Sequence, residues 1–440
     1  MKHTMKKALC VLLALVCALC CLSLVGAAKE TSAAMQFLHT EGESIRNEKN
    51  EQIFLRGTNF GGWGIMEDWF CPYSSPAGEE IMFDALVERF GLDKTHALMQ
   101  RYRENWITEQ DFKNVADLGM NVIRLPIWYR NFQRDDNGTW YRDANGEIDW
   151  HELDNMVALC KKYGLYLIID LHGLPGYQND YDHCGRSKSM SLFDDTAKAA
   201  RYRDVVKDFW VTLATRYKDE PAVAMYDLMN EPLGTNITSD KSLRQTFYDF
   251  SDALPAPTVY GWENVVYQEH LYDVTNMTIL RKTNEIDKAG YNVPFLMGEF
   301  YPRGLTSFSY LFSIFNDRGL SWTTWTYKGA GDRADQSPWF LYGSSSIEKV
   351  DFENDSYETL CEKFGAVLRT DGGAFTRTAF ADYVGNFVNG EVDKASLYSF
   401  GAVETLGTVQ QRFALLTDKL RAIYTTILDW LRKLRTGDLL

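Results

Sequence analysis

The sequence has few positive charges for its size. Its 440 residues include 46 Lys and Arg against 60 Asp and Glu, which gives a formal net charge of −14 at pH 7. Nucleic acids and anionic membrane surfaces are bound by basic protein surfaces. The composition therefore argues against both as partners, and it is compatible with a neutral polymer.

The sequence also lacks the short motifs of several common enzyme classes. It has no HExxH and no Cys/His cluster at metal-ligand spacing, so we predict no metal and no cofactor. It has no GxSxG, which argues against a Ser–His–Asp hydrolase. No glycine-rich phosphate loop follows any of the predicted strands.

The first 28 residues differ in composition from the remainder. A segment with three lysines (2–7) precedes an apolar run (8–25) and three small residues (26–28). This order predicts a signal peptide over residues 1–28 and hence an extracellular protein, with a membrane anchor as the alternative. Four cysteines follow, at Cys71, Cys160, Cys184 and Cys361. They are compatible with one or two disulfides or with buried free thiols.

Short apolar runs alternate with helical patterns along most of the chain. The runs are Ile53–Phe60, Asn121–Ile127, Leu165–His172, Ala222–Glu231, Asn264–Tyr272, Pro294–Phe300 and Ser321–Tyr327. The helical patterns are Thr108–Leu118, Trp150–Tyr163, Ala197–Tyr217 and Ile279–Ala289. Such alternation predicts parallel strands covered by helices. The length and the number of repeats favour a (β/α)₈ barrel over residues 29–377.

Polar or aromatic residues lie at or near the carboxyl ends of several runs. These residues are Arg124, His172, Asn230, Glu231, His270, Tyr272, Glu299 and Trp325. In a parallel barrel the carboxyl ends of the strands share one rim, so residues far apart in sequence meet there. We therefore predict a single site at this rim.

Two of these residues have the chemistry that glycosidic bond cleavage needs. The reaction requires an acid for the leaving oxygen and a carboxylate beneath the anomeric carbon. Glu231 and Glu299 end different strands, so they can face each other. Asn230 can donate to a sugar 2-hydroxyl, and Arg124 with Tyr272 can hold Glu299 as a carboxylate.

The remaining rim residues suit sugar binding. His172 and His270 can bind hydroxyls or orient the carboxylates. Trp325 offers a flat apolar face to a pyranose ring. The chain contains 12 Trp, 24 Tyr and 25 Phe, an aromatic content that agrees with sugar stacking.

Six stretches together resemble glycoside hydrolase family 5, the cellulase-type (β/α)₈ enzymes. They are VIRLPI, DLHG, DLMNEP, EHLY, MGEF and WTTWTYK, and the resemblance extends roughly from Ile53 to Trp339. It implies a retaining double displacement with Glu231 as acid/base and Glu299 as nucleophile. The other matching core residues are Arg124, His172, Asn230, His270, Tyr272 and Trp325.

Within that family the first half resembles the exo-β-1,3-glucanase-like branch. The resemblance implies that Glu67 and Asp182 contact the non-reducing sugar, and His183 occupies a position where that branch usually has Asn. The second half is more similar to bacterial cellulases. We therefore predict a secreted retaining β-glucanase whose partner is a β-glucan, with the linkage and endo or exo action left open. An enzyme for another β-glycan or glucoside is an alternative.

The segment between Glu231 and His270 is shorter than the family pattern and contains no apolar run. The barrel is therefore predicted to lack its fifth strand. It would close with seven strands, use Pro257–Gly261 as a substitute, or leave two edges open. Because an open edge exposes unpaired backbone groups, a degenerate barrel that binds glucan without cleaving it is a second alternative.

Residues 378–440 are predicted to form a C-terminal helical extension. Apolar residues recur at three- and four-residue spacing over Val409–Leu434, which indicates an amphipathic helix. This helix would dock against the barrel or associate with a second copy. Basic residues at its end leave a membrane-surface role as the alternative. No obligatory protein partner is predicted.

Overall fold

A computed structural model describes most of the region predicted as a barrel. The described residues are 34–232, 257–272, 284, 288, 290–301, 305–330, 339–343 and 347–388. The predicted signal peptide and the Val409–Leu434 helix lie outside them. Among the described residues, no helix is both long and apolar enough to cross a membrane.

Seven parallel strands form the central sheet, and a hairpin of β1 (Leu38–Glu41) and β2 (Ser44–Asn47) precedes them. The seven are β3 (Arg56–Asn59), β4 (Val122–Trp128), β5 (Tyr166–Gly173), β6 (Val223–Asp227), β7 (Tyr267–Leu271), β8 (Phe295–Phe300) and β9 (Ser321–Thr324). Their order is β6-β5-β4-β3-β9-β8-β7. Each predicted run overlaps one of these strands. The prediction of a (β/α) barrel fold is confirmed, and the described residues between β6 and β7 contain no further strand.

Among the described residues, β6 and β7 are the two outermost strands of the sheet. In the described part of the chain β6 pairs with β5 and β7 with β8, and no pairing joins β6 to β7. The idea that Pro257–Gly261 supplies a substitute strand is wrong, because Pro257–Tyr260 forms a helical turn. The predicted helix at Ser242–Phe250 lies outside the described residues.

Helices cover the outer face of the sheet. The described helices are α1 (Glu79–Phe90), α2 (Leu92–Trp106), α3 (Glu109–Asp117), α4 (His151–Tyr163), α5 (Ala197–Tyr217), α6 (Pro257–Tyr260), α7 (Leu305–Asp317), α8 (Tyr357–Lys363) and α9 (Ala379–Val388). Three short strands form a separate small sheet: β10 (Lys328–Gly329), β11 (Leu341–Gly343) and β12 (Phe375–Arg377).

Local sequence explains one end of each of three predicted helices. Asp111 Oδ2 accepts the backbone N–H of Thr108 at 2.6 Å, which caps α3. Thr196 Oγ1 accepts the N–H of Ala199 at 3.1 Å at the start of α5. Helix α4 ends at Gly164, whose φ of 69° is the left-handed conformation that glycine adopts readily.

The core lies between the sheet and its helices. Every residue of β4 is buried, as a central strand of a covered parallel sheet requires. Strand β6 is half-buried along its whole length, because it is an edge strand. Helix α9 contributes the buried Phe380, Val384 and Phe387 to this core. The structured unit therefore continues past Arg377, and the predicted domain boundaries stay a prediction.

The cysteines of the described region form no disulfide. All four are free, with Cys71, Cys160 and Cys184 buried and Cys361 half-buried. Burial raises the pKa of the Cys71 and Cys184 thiols, so these side chains act as small apolar groups. Of the two alternatives from the sequence, the structure has the free thiols.

Candidate active site

A cavity of about 220 Å³ opens at the carboxyl ends of the parallel strands. Its lining residues come from loops that are far apart in the sequence: Glu67, Trp69, His172, His183, Asn230, Glu231, Tyr272, Glu299 and Trp325. The convergence of strand ends at one rim explains this grouping. Arg124 and His270 lie directly behind the lining residues, within hydrogen-bond distance of them.

Arg124 is the fully buried cation of the site. Its Nη1 donates to Glu299 Oε1 at 2.6 Å, and its Nη2 donates to Asp227 Oδ2 at 2.7 Å. Its Nη2 also lies 3.1 Å from Asp170 Oδ2 and 3.0 Å from Asn230 Oδ1. Burial lowers the pKa of this guanidinium, but the three carboxylates outweigh burial and raise it. The guanidinium thus stays charged and links strand β4 to groups on β5, β6 and β8.

Glu299 is a buried carboxylate with a cation or donor at each oxygen. Arg124 contacts Oε1, and the Tyr272 hydroxyl donates to Oε2 at 2.5 Å. His270 Nδ1 lies 3.6 Å from Oε2, because Glu299 on β8 is in register with His270 on β7. Both oxygens of Glu299 thus face hydrogen-bond donors or positive charge.

Glu231 lies beyond the end of β6 in an unusual backbone conformation. Its φ is +40°, in the left-handed region that residues other than glycine rarely adopt. Its Oε1 accepts from His270 Nδ1 at 2.7 Å. Burial raises the pKa of Glu231, but the hydrogen bond and charge of His270 outweigh burial and lower it to about 2.

His270 connects the two candidate catalytic carboxylates. Burial lowers the pKa of its imidazole, but the charges of Glu299 and Glu231 raise it overall to about 9. Ligand atoms of His270, Glu231 and Glu299 all lie within 4.8 Å of one another. Gln268 Nε2 donates to Asp227 Oδ2 at 2.8 Å and lies 3.0 Å from His270 Nε2.

Among the described residues, Glu231, His270 and Glu299 lie close enough together to hold a metal ion. The atoms concerned already have partners, since Glu231 Oε1 accepts from His270 and Glu299 Oε1 accepts from Arg124. A guanidinium 2.6 Å from one ligand opposes a second cation there. The arrangement is better suited to moving a proton than to holding a metal.

His172 and Asn230 form a hydrogen-bonded chain beneath the cavity. His172 Nδ1 lies 2.6 Å from Asp170 Oδ2, and Asn230 Nδ2 lies 3.1 Å from His172 Nε2. Burial lowers the pKa of His172 to about 3, so the ring is neutral and donates from Nδ1 to Asp170. Arg124 holds the other end of the Asn230 amide. The amide is thereby fixed at the cavity wall beside Glu231.

Trp325 forms one wall of the cavity. It is 5% exposed, and its ring stacks on the His172 imidazole with centroids 5.6 Å apart and planes 14° apart. Phe70 contacts it edge-on at 6.0 Å. A ring held in this way offers a fixed flat surface to a pyranose.

Glu67 and Asp182, the two residues expected at the non-reducing sugar, have different positions. Glu67 lines the cavity and accepts from Trp69 Nε1 at 2.7 Å. Burial, together with the charges of Asp182, Glu299 and Glu231, raises the pKa of Glu67 well above its usual value. Asp182 is close enough to contribute to that shift but does not line the cavity, whereas its neighbour His183 does.

The structure adds several residues that the sequence reading left out. Asp170 precedes His172 by two positions on β5, and Asp227 ends β6 before Glu231, so both belong to stretches already singled out. An Asp two positions before a rim residue lies on the same face of the strand as that residue. This spacing could have indicated that Asp170 belongs to the site. Trp69 and Asn179 lie on loops, and no periodicity marks them.

Residues 84–254 match the Cellulase family, glycosyl hydrolase family 5. A β-xylosidase of Phanerodontia chrysosporium is 31% identical over 198 residues, 45% of this chain and 40% of that protein. A probable glucan 1,3-β-glucosidase A of Aspergillus clavatus is 33% identical over 181 residues, 40% of this chain and 41% of that protein. The resemblance to family 5 and its β-1,3-glucanase branch is thereby confirmed.

A longer match is to a probable glucan 1,3-β-glucosidase A of Aspergillus niger, 27% identical over 296 residues. It covers 60% of this chain and 65% of that protein. Among solved structures, rutinosidase from Aspergillus niger is similar with a TM-score of 0.47 and 17% identity, over 71% of this chain and 98% of that one. This chain thus spans from two fifths to just under two thirds of the length of these curated relatives.

Proposed function

We propose that this chain is a secreted, retaining glycoside hydrolase that cleaves β-glucosidic bonds in β-glucans. Glu231 is its acid/base and Glu299 its nucleophile. The family match and the relatives named glucan 1,3-β-glucosidase support the class of reaction. The predicted signal peptide over residues 1–28 supports export.

One observation carries the retaining mechanism. Carboxylate oxygens of Glu231 and Glu299 lie within 4.8 Å of each other, and His270 Nδ1 lies 2.7 Å from Glu231 Oε1 and 3.6 Å from Glu299 Oε2. Retaining enzymes place their two carboxyl groups about 5–5.5 Å apart, and inverting enzymes about 6.5–9.5 Å apart to admit a water. The separation is nearer to the retaining value than to the inverting one, which supports a retaining mechanism.

In the first step Glu299 attacks the anomeric carbon and the bond to the leaving oxygen breaks. That oxygen takes the proton held between Glu231 and His270. The pair releases its proton as Glu299 reacts, because forming the ester removes one of the two negative charges that favour the imidazolium. The product of this step is a glycosyl ester on Glu299.

In the second step Glu231 takes a proton from water, whose oxygen attacks the same anomeric carbon. The ester bond breaks, and Glu299 leaves as a carboxylate. Arg124 at 2.6 Å and the Tyr272 hydroxyl at 2.5 Å stabilise this leaving group. Two inversions at one carbon retain its configuration.

The size of the cavity supports action at the end of a glucan chain. Its volume of about 220 Å³ is below the ~300–1,000 Å³ typical of drug-sized ligands, so it suits one sugar ring. The carboxyl group of Glu67 can form hydrogen bonds with the hydroxyl groups of that sugar. The indole ring of Trp325 can stack on the face of the sugar. We therefore favour release of single glucose units from a non-reducing end.

The test is hydrolysis of laminarin, carboxymethylcellulose and an aryl β-glucoside by the mature chain. Glu299→Gln should lose at least about a thousandfold in activity, because the nucleophile is gone. Glu88→Gln, an exposed change of the same type on α1, is the matched control. The anomer first released from the aryl substrate should be β, as seen by NMR before mutarotation.

Three results would contradict parts of this proposal. Release of the α-anomer first would exclude retention. Full activity of Glu299→Gln would exclude it as nucleophile. A folded wild type that binds laminarin without hydrolysing any of the substrates would support the degenerate barrel that only binds glucan.

A further inference from the structure

The backbone of Met66, the residue before Glu67, is held by two buried side chains. Its N–H donates to Glu79 Oε2 at 2.6 Å, and its carbonyl accepts the hydroxyl of Tyr73 at 3.0 Å. Glu79 is 1% exposed, and Tyr73 is fully buried. Glu67 lines the cavity, whereas Glu79 and Tyr73 do not. The chain that leads into this cavity residue therefore has both of its polar groups fixed from behind.

The loop that carries Glu67 also has bonds of its own. Glu67 Oε2 accepts from Trp69 Nε1 at 2.7 Å, and the Glu67 carbonyl accepts the N–H of Cys71 at 2.9 Å. These bonds lie within the loop, so they determine its local shape. The placement of the loop on the protein depends on bonds to other elements, and among these the bond from Met66 to Glu79 on α1 adjoins Glu67.

The start of α1 also contacts a second part of the cavity lining. The N–H of Glu80 donates to the carbonyl of Gly185 at 3.0 Å. Gly185 directly follows the helical turn Asp182–Cys184, whose His183 lines the cavity. The first residues of α1 thus bond to two segments of the lining that are far apart in the sequence. A group fixed on α1 is therefore fixed relative to the cavity.

A carboxyl group is an unfavourable choice for the buried position of Glu79. Its transfer out of water costs free energy, and burial raises its pKa to about 8. Arg103, whose charge opposes that shift, is itself paired with Glu152 at 2.7 Å. An apolar side chain would carry no such penalty. Proteins tolerate departures of this kind mainly at functional sites, which points to the adjoining Glu67.

We propose that Glu79 and Tyr73 are positioning residues for Glu67, which binds a hydroxyl group of the terminal sugar. They hold the backbone of Met66 and thereby place the Glu67 carboxyl group within hydrogen-bond distance of that hydroxyl. This inference rests on the proposed function, in which one β-glucosyl unit occupies the cavity. Since neither residue lines the cavity, both act on the sugar through Glu67.

The first experiment compares Tyr73→Phe with the wild type on an aryl β-glucoside. The variant keeps the buried ring and loses the hydroxyl 3.0 Å from the Met66 carbonyl. One such hydrogen bond corresponds to roughly a three- to tenfold effect, so KM should rise by about that factor. The value of kcat should change less than about twofold, because the lost contact binds the sugar in the ground state as well.

Tyr166→Phe is the matched control for this measurement. Its hydroxyl donates to the carbonyl of Gln36 at 3.0 Å, the same kind of bond at the same length. Tyr166 begins β5, so it lies at the opposite end of the barrel from the cavity. This variant should keep the KM of the wild type. A folded Tyr73→Phe with an unchanged KM overturns the proposal.

The second experiment separates positioning from a general effect on the fold. Glu67→Ala removes the group through which both residues are proposed to act. In that background Tyr73→Phe should change KM by less than about twofold, because the group that it positions is gone. The same rise in KM in both backgrounds overturns the proposal. Glu79→Leu, which removes the acceptor of the Met66 N–H, repeats the cycle from the other side of Met66.

The third experiment needs no catalysis, so it separates this inference from the proposed function. Binding of glucose is measured by titration calorimetry for the wild type, Tyr73→Phe, Glu67→Ala and the double variant. The Kd should rise in Tyr73→Phe, and the double variant should match Glu67→Ala. Equal Kd values for Tyr73→Phe and the wild type overturn the positioning role. The expected pattern without hydrolysis of any substrate would reject the proposed function alone.

Discussion

Arg124 and Tyr272 hold Glu299 from two sides, and their contributions can be separated. Arg124 carries charge and contacts three carboxylates, so its removal would leave buried charges unpaired and would affect folding. Tyr272 gives one hydrogen bond from a side chain that is 44% exposed. Tyr272 therefore allows a test of nucleophile support without loss of the fold.

Tyr272→Phe removes the hydroxyl at 2.5 Å from Glu299 Oε2 and keeps the ring. A hydrogen bond to a charged group contributes about 1.5–3 kcal/mol, and 1.36 kcal/mol is about a factor of ten. We expect kcat/KM on an aryl β-glucoside to fall roughly ten- to a hundredfold. Tyr163→Phe is the control, since it removes a hydroxyl that donates to Glu109 at 2.7 Å on the surface. Equal activity of both variants would show that the hydroxyl does not assist Glu299.

The proton shared by Glu231 and His270 predicts the alkaline limb of activity. Since the two carboxylates raise the pKa of His270 to about 9, the pair keeps its proton below that pH and loses it above. The kcat/KM profile should therefore fall on the alkaline side with a midpoint near pH 9. A midpoint near pH 6.5, the ordinary histidine value, would contradict a proton held by both carboxylates.

The residue types of the site were predictable, but their mutual contacts were not. Strand ends in a parallel barrel indicated Arg124, Glu231 and Glu299, because convergence at a rim follows from topology alone. His183 faces the Asn179 amide, whose orientation two backbone groups fix. No spacing in the sequence reports such a contact.

Gly57 on β3 has no space for a side chain. A Cβ added there would lie 1.8 Å from the carbonyl oxygen of Val122, its partner in the parallel register. Gly57→Ala therefore requires a backbone shift between two central strands, and we expect it to lower the free energy of unfolding by about 3 kcal/mol or more. Denaturant unfolding followed by fluorescence measures this.

Gly146→Ala is the matched comparison. Gly146 has nothing within 4 Å of the added Cβ, and its φ of +84° adds conformational strain alone. The expected loss is about 1–2 kcal/mol. Equal losses for the two variants would mean that the sheet accommodates the methyl group at Gly57.

Strand identity was predictable, whereas strand ends were not. The apolar run Asn121–Ile127 indicated a strand buried on both faces, and β4 is buried throughout. The run Ala222–Glu231 suggested a longer strand than β6, which ends at Asp227. Glu231 cannot continue it, because a φ of +40° is incompatible with a strand. This left-handed residue is the one proposed as acid/base.

The stability of the whole fold should depend on pH through Glu79. This side chain is 1% exposed, and its Oε2 accepts the N–H of Met66 at 2.6 Å. Burial raises its pKa to about 8, against the smaller opposing effects of that hydrogen bond and of Arg103. A raised pKa means that its stabilising contribution is full below about pH 4.5 and is lost as pH rises through 8.

Glu79→Gln replaces the carboxyl group with an amide that does not ionise. We expect the Tm of the wild type to fall more than the Tm of this variant between about pH 5 and pH 8, as measured by calorimetry. Glu88→Gln, which is exposed on the same helix, should follow the wild type. Parallel curves for Glu79→Gln and the wild type would contradict an uncharged buried Glu79.

Arg124 reaches from β4 to acceptors on β3, β5, β6 and β8 through the interior of the sheet. The position of Glu299 relative to Asp170 and Asp227 is therefore set across the inside of the barrel. Moving any one of these strands would leave a buried polar group without its hydrogen bond. The guanidinium thereby cross-links the interior of the sheet.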